Sequence, residues 1–245
     1  MLAYRYPIIA REGWVWIASI AIPALIVHAM YGLVSLPLWL LVLVLLFLFR
    51  DPARKIPAVP LGIVSPVDGR VVAVDTVYDA YLNRQSWVVS IKMGFTSVYS
   101  VHSPMEGKVL EQWLEVPRKI IAADAENGAQ TIAEMQGKTA AKIKNPQVVT
   151  YAQWIQSDEK DDLVLVIEVN SRMPRPKCYV QSGERIGQGQ RCGFIRFGSR
   201  VDVLIPVTSR ISVSVGDDVL AGSDIIATLV HAKVVPPKPA PVVNG

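Results

Sequence analysis

Cysteine and histidine are scarce in this chain, and their scarcity limits its chemistry. Two cysteines, Cys178 and Cys192, among 245 residues make no disulfide framework, so a reducing cytoplasmic setting is the simpler interpretation. No cluster of cysteine and histidine suggests a metal site. The net charge is only +4, and no basic cluster is interleaved with aromatic residues, which argues against nucleic acid as a partner.

Charged residues are absent from Gly13 to Phe49. A membrane-spanning helix needs about 20 apolar residues, so this stretch is too long for one span and close to two. We predict a membrane helical hairpin at residues 13–49, with segments at 13–28 and 37–49 and a turn at 29–36. Both segments are short and interrupted by Pro23 and Pro37. A shallow hairpin that enters the bilayer without crossing it is therefore an alternative.

The flanks of the hairpin are basic. The positive residues are Arg5 and Arg11 before it, and Arg50, Arg54 and Lys55 after it. Positive flanks favour the cytoplasmic side, so we expect both ends in the cytoplasm and the body of the protein against the inner face of the cell membrane. Residues 1–12 then form an N-terminal interfacial segment.

Residues 50–231 are predicted to form a β-rich domain. Short β-branched runs alternate there with glycine and proline turns, as is typical of strands. The clearest predicted strands are 71–77, 86–93, 96–101, 163–169, 201–205 and 225–229. Helical composition is credible only at about 118–144, and the acidic run at 158–162 is predicted to be a solvated loop. The proline-rich tail, 232–245, is predicted to be disordered.

A short internal repeat occurs in this domain. Residues 65–71, Ser-Pro-Val-Asp-Gly-Arg-Val, match residues 103–109, Ser-Pro-Met-Glu-Gly-Lys-Val, and both have good turn chemistry. Such turns are typical of the sandwiched-barrel architecture of lipoyl and biotinyl carrier domains. A carrier needs a lysine at a hairpin tip, whereas Lys92 lies within an apolar strand run. The alternative function is therefore a membrane-anchored β-sandwich adaptor without catalysis.

The stretch 193–203, Gly-Phe-Ile-Arg-Phe-Gly-Ser-Arg-Val-Asp-Val, has two interpretations. A glycine between two strand runs usually marks a bulge or a close backbone approach. Alternatively, Gly198-Ser199 is a bond that the protein cuts itself, because a serine hydroxyl can attack the preceding carbonyl if a base takes its proton. Glycine leaves that carbonyl uncrowded.

Two further residues would complete such a site. His102 follows a predicted strand, and Asp68 lies in the matching turn of the other repeat copy. An Asp before Gly is often only a turn residue, and a lone histidine is often structural. Together with Ser199 they are the parts of a base-activated hydroxyl, in which the carboxylate orients the imidazole.

These motifs resemble the phosphatidylserine decarboxylase family. The similarity rests on Phe-Arg-Asp-Pro-x-Arg-x-x-Pro at 49–57, Ser-Pro-x-Asp-Gly at 65–69, Val-His-x-Pro at 101–104 and Phe-Gly-Ser at 197–199, within stretches 49–110 and 178–229. The resemblance implies that Asp68, His102 and Ser199 are catalytic. Many family members carry a histidine where this chain has Tyr99, and segment 112–162 does not align.

The resemblance also implies a mechanism. Serinolysis at Gly198-Ser199 would produce a β chain, 1–198, and an α chain, 199–245, which starts with a pyruvoyl group made from Ser199. This covalent cofactor would decarboxylate phosphatidylserine, an anionic membrane phospholipid, to phosphatidylethanolamine without a metal. Family analogy also allows a homodimer of such β–α heterodimers. The expected fold class is mainly β, a sandwiched-barrel-like catalytic domain with minor helix after the membrane hairpin.

Overall fold

The N-terminal region consists of two helices that fold back on each other. A computed structural model of the protein describes residues 9–52, 54–59, 61–114, 121–122, 148–170, 175–195 and 198–230. Helix α1, Trp14–Tyr31, and helix α2, Leu36–Leu48, are joined by a 3-10 turn at Gly32–Ser35. The two ends of this pair meet, because the Ala10 N–H donates to the Phe49 carbonyl (2.8 Å).

The hairpin has an apolar and exposed surface. By length and composition, the run Arg11–Leu48 is the one helical stretch in the described residues that could cross a membrane, and only 11% of its most apolar window is buried. Pro37 lies in the first turn of α2, where its missing N–H costs nothing. The expectation that Pro23 interrupts the first segment is wrong, because α1 continues through it.

The rest of the described chain is antiparallel β-structure. Its strands are β1 Gly62–Val64, β2 Gly69–Asp79, β3 Arg84–Lys92, β4 Ser100–His102, β5 Gly107–Leu114, β6 Ile121–Ala122, β7 Val148–Gln156, β8 Asp162–Asn170, β9 Lys177–Cys178, β10 Arg185–Ile186, β11 Arg191–Phe194, β12 Arg200–Pro206, β13 Arg210–Ile211, β14 Asp218–Val219 and β15 Ile225–Thr228.

These strands form one large curled sheet and two small ones. Within the described ranges, the large sheet has the order β10-β5-β7-β8-β12-β3-β2-β14, with β6 paired to β2. The small sheets have the orders β1-β15-β13 and β4-β11-β9. The main core lies on one face of the large sheet, where Ile91, Leu165 and Val203 have no exposed surface. A second apolar cluster, which includes Val88, Val166 and Leu204, covers the other face.

The internal repeat generates an approximate two-fold arrangement. The large sheet has two equivalent halves that meet at its centre. The strands β10-β5-β7-β8 of one half correspond to the strands β14-β2-β3-β12 of the other. The repeat turns contact each other reciprocally: Val64 N–H donates to the Pro104 carbonyl, and His102 N–H donates to the Pro66 carbonyl, both at 2.8 Å. Each turn is closed in the same way, since Ser65 and Ser103 each donate their hydroxyl to the carbonyl two residues later.

Several sequence predictions need correction. The strand predicted at 96–101 is wrong over most of its length, because residues 94–97 form a turn and β4 covers only Ser100–His102. Strands β5 and β7 are not among the clearest predicted strands. The helix expected at about 118–144 falls largely outside the described residues, and the part that is described, Ile121–Ala122, pairs with β2 as a strand. The acidic run is mainly exposed, in the turn between β7 and β8, as expected.

Candidate active site

Asp68 lies in the turn before β2 and is 7% exposed. Its Oδ1 accepts a hydrogen bond from the Ala221 N–H (2.7 Å), and its Oδ2 accepts a longer one from the Val98 N–H (3.4 Å). The Arg54 guanidinium pairs with the same Oδ2 at 2.5 Å. These donors hold the buried carboxylate in a single orientation, which suits a group that must position a neighbour.

His102 lies at the end of β4, with 9% of its surface exposed. The imidazole packs against Gly222, since a Cβ there would be in ordinary contact with His102 Cδ2 (3.7 Å), and Gly222 follows Ala221, whose N–H binds Asp68. Burial lowers the pKa of His102 to about 4, although Asp51 and Asp68 oppose this shift. The imidazole is therefore neutral at pH 7 and is in the state that can accept a proton.

Ser199 is 1% exposed and lies one residue before β12. The preceding Gly198 is exposed, has φ +76°, and a Cβ there would meet nothing within 4 Å. That φ is unfavourable for other residues, so glycine keeps the carbonyl before Ser199 both accessible and in an uncommon backbone conformation. An accessible carbonyl before a serine is compatible with attack by the serine hydroxyl.

The large sheet brings Asp68 and Ser199 to one end of the domain, while His102 lies on β4 of a small sheet, where its N–H donates to the Pro66 carbonyl in the Asp68 turn (2.8 Å). Residues Arg70, Lys92 and Arg200 lie opposite each other on β2, β3 and β12, so the residues just outside them, Asp68 and Ser199, lie at the same sheet edge. The Met93 N–H, also at that edge, donates to the Ser199 carbonyl (3.0 Å).

Reasoning from sequence missed an ion-pair network next to His102. Arg191 Nη2 lies 3.0 Å from Glu12 Oε2, and Arg191 Nη1 lies 3.4 Å from Asp51 Oδ2; the three side chains are 8%, 12% and 4% exposed. Asp51 also accepts a hydrogen bond from the Ser100 hydroxyl (2.7 Å). The network joins the start and end of the helical hairpin to β11 and β4. Only the Phe-Arg-Asp-Pro-x-Arg motif, which supplies Asp51 and Arg54, hinted at these charges.

Tyr99 replaces the histidine of many family members, and it has a structural place here. It is 3% exposed, its hydroxyl donates to the Phe95 carbonyl (2.9 Å), and its ring packs edge-on against Phe49 and Phe194. Tyr99 therefore links the end of the hairpin to the turn between β3 and β4.

The carrier-like lysine is also placed by the structure. Lys92 is the last residue of β3 and pairs with Arg70 and Arg200 on the two neighbouring strands. It does not occupy the tip of a hairpin, where a carrier lysine would need to be.

Comparison with known proteins identifies what the chain is similar to. The family model for phosphatidylserine decarboxylase matches residues 42–227. A phosphatidylserine decarboxylase proenzyme of Burkholderia multivorans is 38% identical over 233 residues, which cover 92% of this chain and 98% of the relative. One of Nitrosomonas eutropha is 39% identical over 225 residues, covering 91% and 96% respectively. No solved structure gives a significant match.

Proposed function

The chain belongs to the phosphatidylserine decarboxylase family, and we propose that it is a proenzyme that cuts itself between Gly198 and Ser199 and then converts phosphatidylserine to phosphatidylethanolamine. The observation that carries the cutting step is the pairing of a buried Ser199 with an exposed, positive-φ Gly198 at the sheet edge that also holds Asp68. The family membership gives no support to the adaptor alternative.

In the proposed cleavage, His102 accepts the proton of the Ser199 hydroxyl, and Asp68 orients the imidazole. The hydroxyl oxygen attacks the Gly198 carbonyl, the peptide C–N bond breaks as the Ser199 nitrogen takes up the proton that the hydroxyl lost, and an ester remains. Removal of the Ser199 α-proton expels the Gly198 carboxylate from this ester. The dehydrated residue 199 then takes up water and releases ammonia, which leaves a pyruvoyl group at the start of the α chain.

The surroundings of Ser199 fit such a group. The Met93 N–H holds the carbonyl of residue 199 (3.0 Å), and β12 starts at the next residue, so the new terminus would stay fixed at the sheet edge. The pyruvoyl group supplies an electron-withdrawing carbonyl that accepts the electron pair left when CO2 departs. We expect His102 to return a proton to the product.

The hairpin gives this site access to its substrate. A two-chain phospholipid hardly leaves the bilayer, so the enzyme must be held at the membrane surface, and the apolar run Arg11–Leu48 suits that task. We propose that residues 13–49 anchor the chain, that 1–12 lie at the interface, and that 50–231 form a sandwiched-barrel-like catalytic domain on the cytoplasmic face. The tail, 232–245, lies outside the described residues, and dimerisation stays a proposal from family analogy.

Intact mass under denaturing conditions tests the cleavage. We expect wild type purified in detergent to give two chains, 1–198 and 199–245, the smaller with a blocked, carbonyl-reactive N-terminus. Ser199→Ala should remain one chain of 245 residues. Ser209→Ala is the matched control, because Ser209 is also buried but follows the opposite end of β12; it should be cut as wild type is. An uncut wild-type chain would rule out the pyruvoyl mechanism.

A further inference from the structure

The turn between β3 and β4 exposes an aromatic side chain next to the candidate site. Residues 93–98, the 93–98 loop, include Phe95, which is 60% exposed. The loop has a defined shape, since Tyr99 donates its hydroxyl to the Phe95 carbonyl and the Gly94 N–H donates to the Ser97 hydroxyl (3.0 Å). A large apolar side chain held outward by an ordered turn suggests contact with something apolar.

The 93–98 loop lies at the foot of the helical hairpin. Arg50, just after α2, donates from Nη2 to the Thr96 carbonyl (3.3 Å). The same guanidinium lies over the ring of Phe47, 4.1 Å from its centroid, and Phe47 is 53% exposed in the last turn of α2. Arg50 therefore joins the 93–98 loop to the exposed end of the hairpin.

A row of cations borders the loop. Arg70, Lys92 and Arg200 are opposite each other on adjacent strands and so share one face of the sheet. Their neighbours Val71, Ile91 and Val201 are buried in the main core, so the row points to the outer face. Lys92 is exposed, and the Arg70 side chain is 66% exposed although it lies 3.6 Å from Asp218. Arg200 pairs with the buried Asp202 (2.8 Å), so the charge that would attract anionic lipid headgroups comes mainly from Lys92 and the exposed Arg70.

We propose that the 93–98 loop is a second membrane contact, in which Phe95 enters the headgroup and acyl boundary of an anionic bilayer beside the hairpin. The inference rests on the proposed insertion of that hairpin. The two ends of the loop hold the candidate site: the Met93 N–H binds the Ser199 carbonyl, and the Val98 N–H binds Asp68 Oδ2. Contact of Phe95 with lipid would therefore hold the candidate site close to the lipid headgroups.

Fluorescence quenching by lipid tests the contact directly. Phe95→Cys carries an environment-sensitive fluorophore in a Cys178→Ser background, in which the remaining Cys192 is buried. Val207→Cys with the same label is the matched control, because Val207 is 46% exposed but follows the opposite end of β12. The probe membrane is a vesicle of phosphatidylglycerol and phosphatidylcholine with brominated acyl chains. We expect quenching at position 95 and none at 207.

The outcomes separate this inference from the anchoring proposal. A chain that sediments with the vesicles while the label at 95 stays unquenched would overturn the loop contact and leave hairpin insertion intact. A chain that stays in the supernatant would overturn hairpin insertion, and the loop contact with it.

Turnover gives a second, independent readout. Phe95→Ser should lower the decarboxylation of phosphatidylserine in vesicles about tenfold, because an inserted aromatic ring is lost, whereas Val207→Ser should not. Phe95→Leu keeps an apolar tip and should restore most of the rate. Rates are expressed per cleaved chain, so incomplete folding or processing is not counted. Equal rates for Phe95→Ser and Val207→Ser would contradict the proposal.

Discussion

At the scale of single residues, the two repeat turns differ where chemistry is proposed. Asp68 in the first turn corresponds to Glu106 in the second, and His102 corresponds to Val64. Asp68 is buried with Arg54, while the Glu106 side chain is 71% exposed and lies 3.9 Å from Arg185. The fold therefore offers two similar turns, and only the first holds a buried carboxylate.

This difference yields a matched pair of substitutions. Asp68→Asn removes the charge that we propose orients His102, and we expect self-cleavage to slow by about a hundredfold or more. Glu106→Gln changes the equivalent position and should leave cleavage unchanged, because an exposed ion pair contributes little. The fraction of cut chain is followed with time by denaturing electrophoresis after synthesis of each variant. Equal slowing in both variants would assign Asp68 a role in folding alone.

The buried imidazole also predicts a dependence of stability on pH. The pKa of His102 is about 4 in the folded protein and about 6.5 as an unperturbed residue. Between these values the unfolded chain binds the proton and the folded chain does not, so the stability present above pH 6.5 is lost as the pH falls towards 4. The loss from this one group amounts to about 3 kcal/mol.

The measurement compares two uncut proteins. Ser199→Ala and Ser199→Ala/His102→Gln are unfolded by denaturant in detergent at several pH values from 7 to 4. The first should lose more stability than the second as the pH falls, and the difference isolates His102 from the carboxyl groups that also titrate. Parallel curves would show that His102 is not held neutral by burial.

At the scale of elements, the sequence predicted those strands whose composition leaves little choice. Strands β3, β8 and β12 are rich in Val, Ile and Leu because they lie centrally in the sheet, with apolar clusters on both of its faces. Strands β5 and β7 are absent from the clearest predictions because Glu, Gln, Thr and Trp interrupt their apolar residues, and much of β5 is partly exposed. The hairpin was predictable from the absence of charge alone.

The ion pairs between elements could not be predicted in the same way. Glu12, Asp51 and Arg191 are far apart in the sequence, and no local pattern connects them. They meet only because the hairpin returns to its starting point and β11 passes beside it. A contact between residues far apart in the chain produces no periodic pattern in the sequence.

This network predicts strong coupling between the hairpin and the β-domain. Arg191→Met would leave the buried carboxylates of Glu12 and Asp51 without their cation, so we expect a loss of about 3–5 kcal/mol in the free energy of unfolding. Arg210→Met is the control, because Arg210 is exposed on β13. Both are measured by denaturant unfolding in detergent. Adding Asp51→Asn to Arg191→Met should recover part of the loss; unfolding midpoints equal to those of Arg210→Met would contradict the coupling.

At the scale of the whole molecule, the proposed cut separates two chains that remain interleaved. Strand β12 would begin the α chain, yet it pairs with β3 along its full length on one side and with β8 on the other. Strands β14 and β15 of the same chain pair with β2 and β1. The α chain is therefore held by strands of the β chain in two sheets.

We expect the two chains to co-elute. Size-exclusion chromatography of the cut protein in mild detergent should give one peak that contains both chains, whereas denaturant should resolve them. Ser199→Ala should elute at the same position as the cut protein, because the cut precedes the first paired residue of β12 and removes no hydrogen bond of the sheet. Separation of the chains without denaturant would contradict the pairing described for β12.

The central location of β12 also determines how the protein folds and how the mature enzyme loses its folded structure. Before the cut, β12 and its partners belong to one molecule, so folding does not depend on protein concentration. After the cut, an unfolded enzyme is two molecules that must find each other, and its recovery depends on concentration. The severed peptide bond does not re-form. The working lifetime of the mature enzyme is therefore set by how rarely its sheet opens, which is a rate rather than an equilibrium.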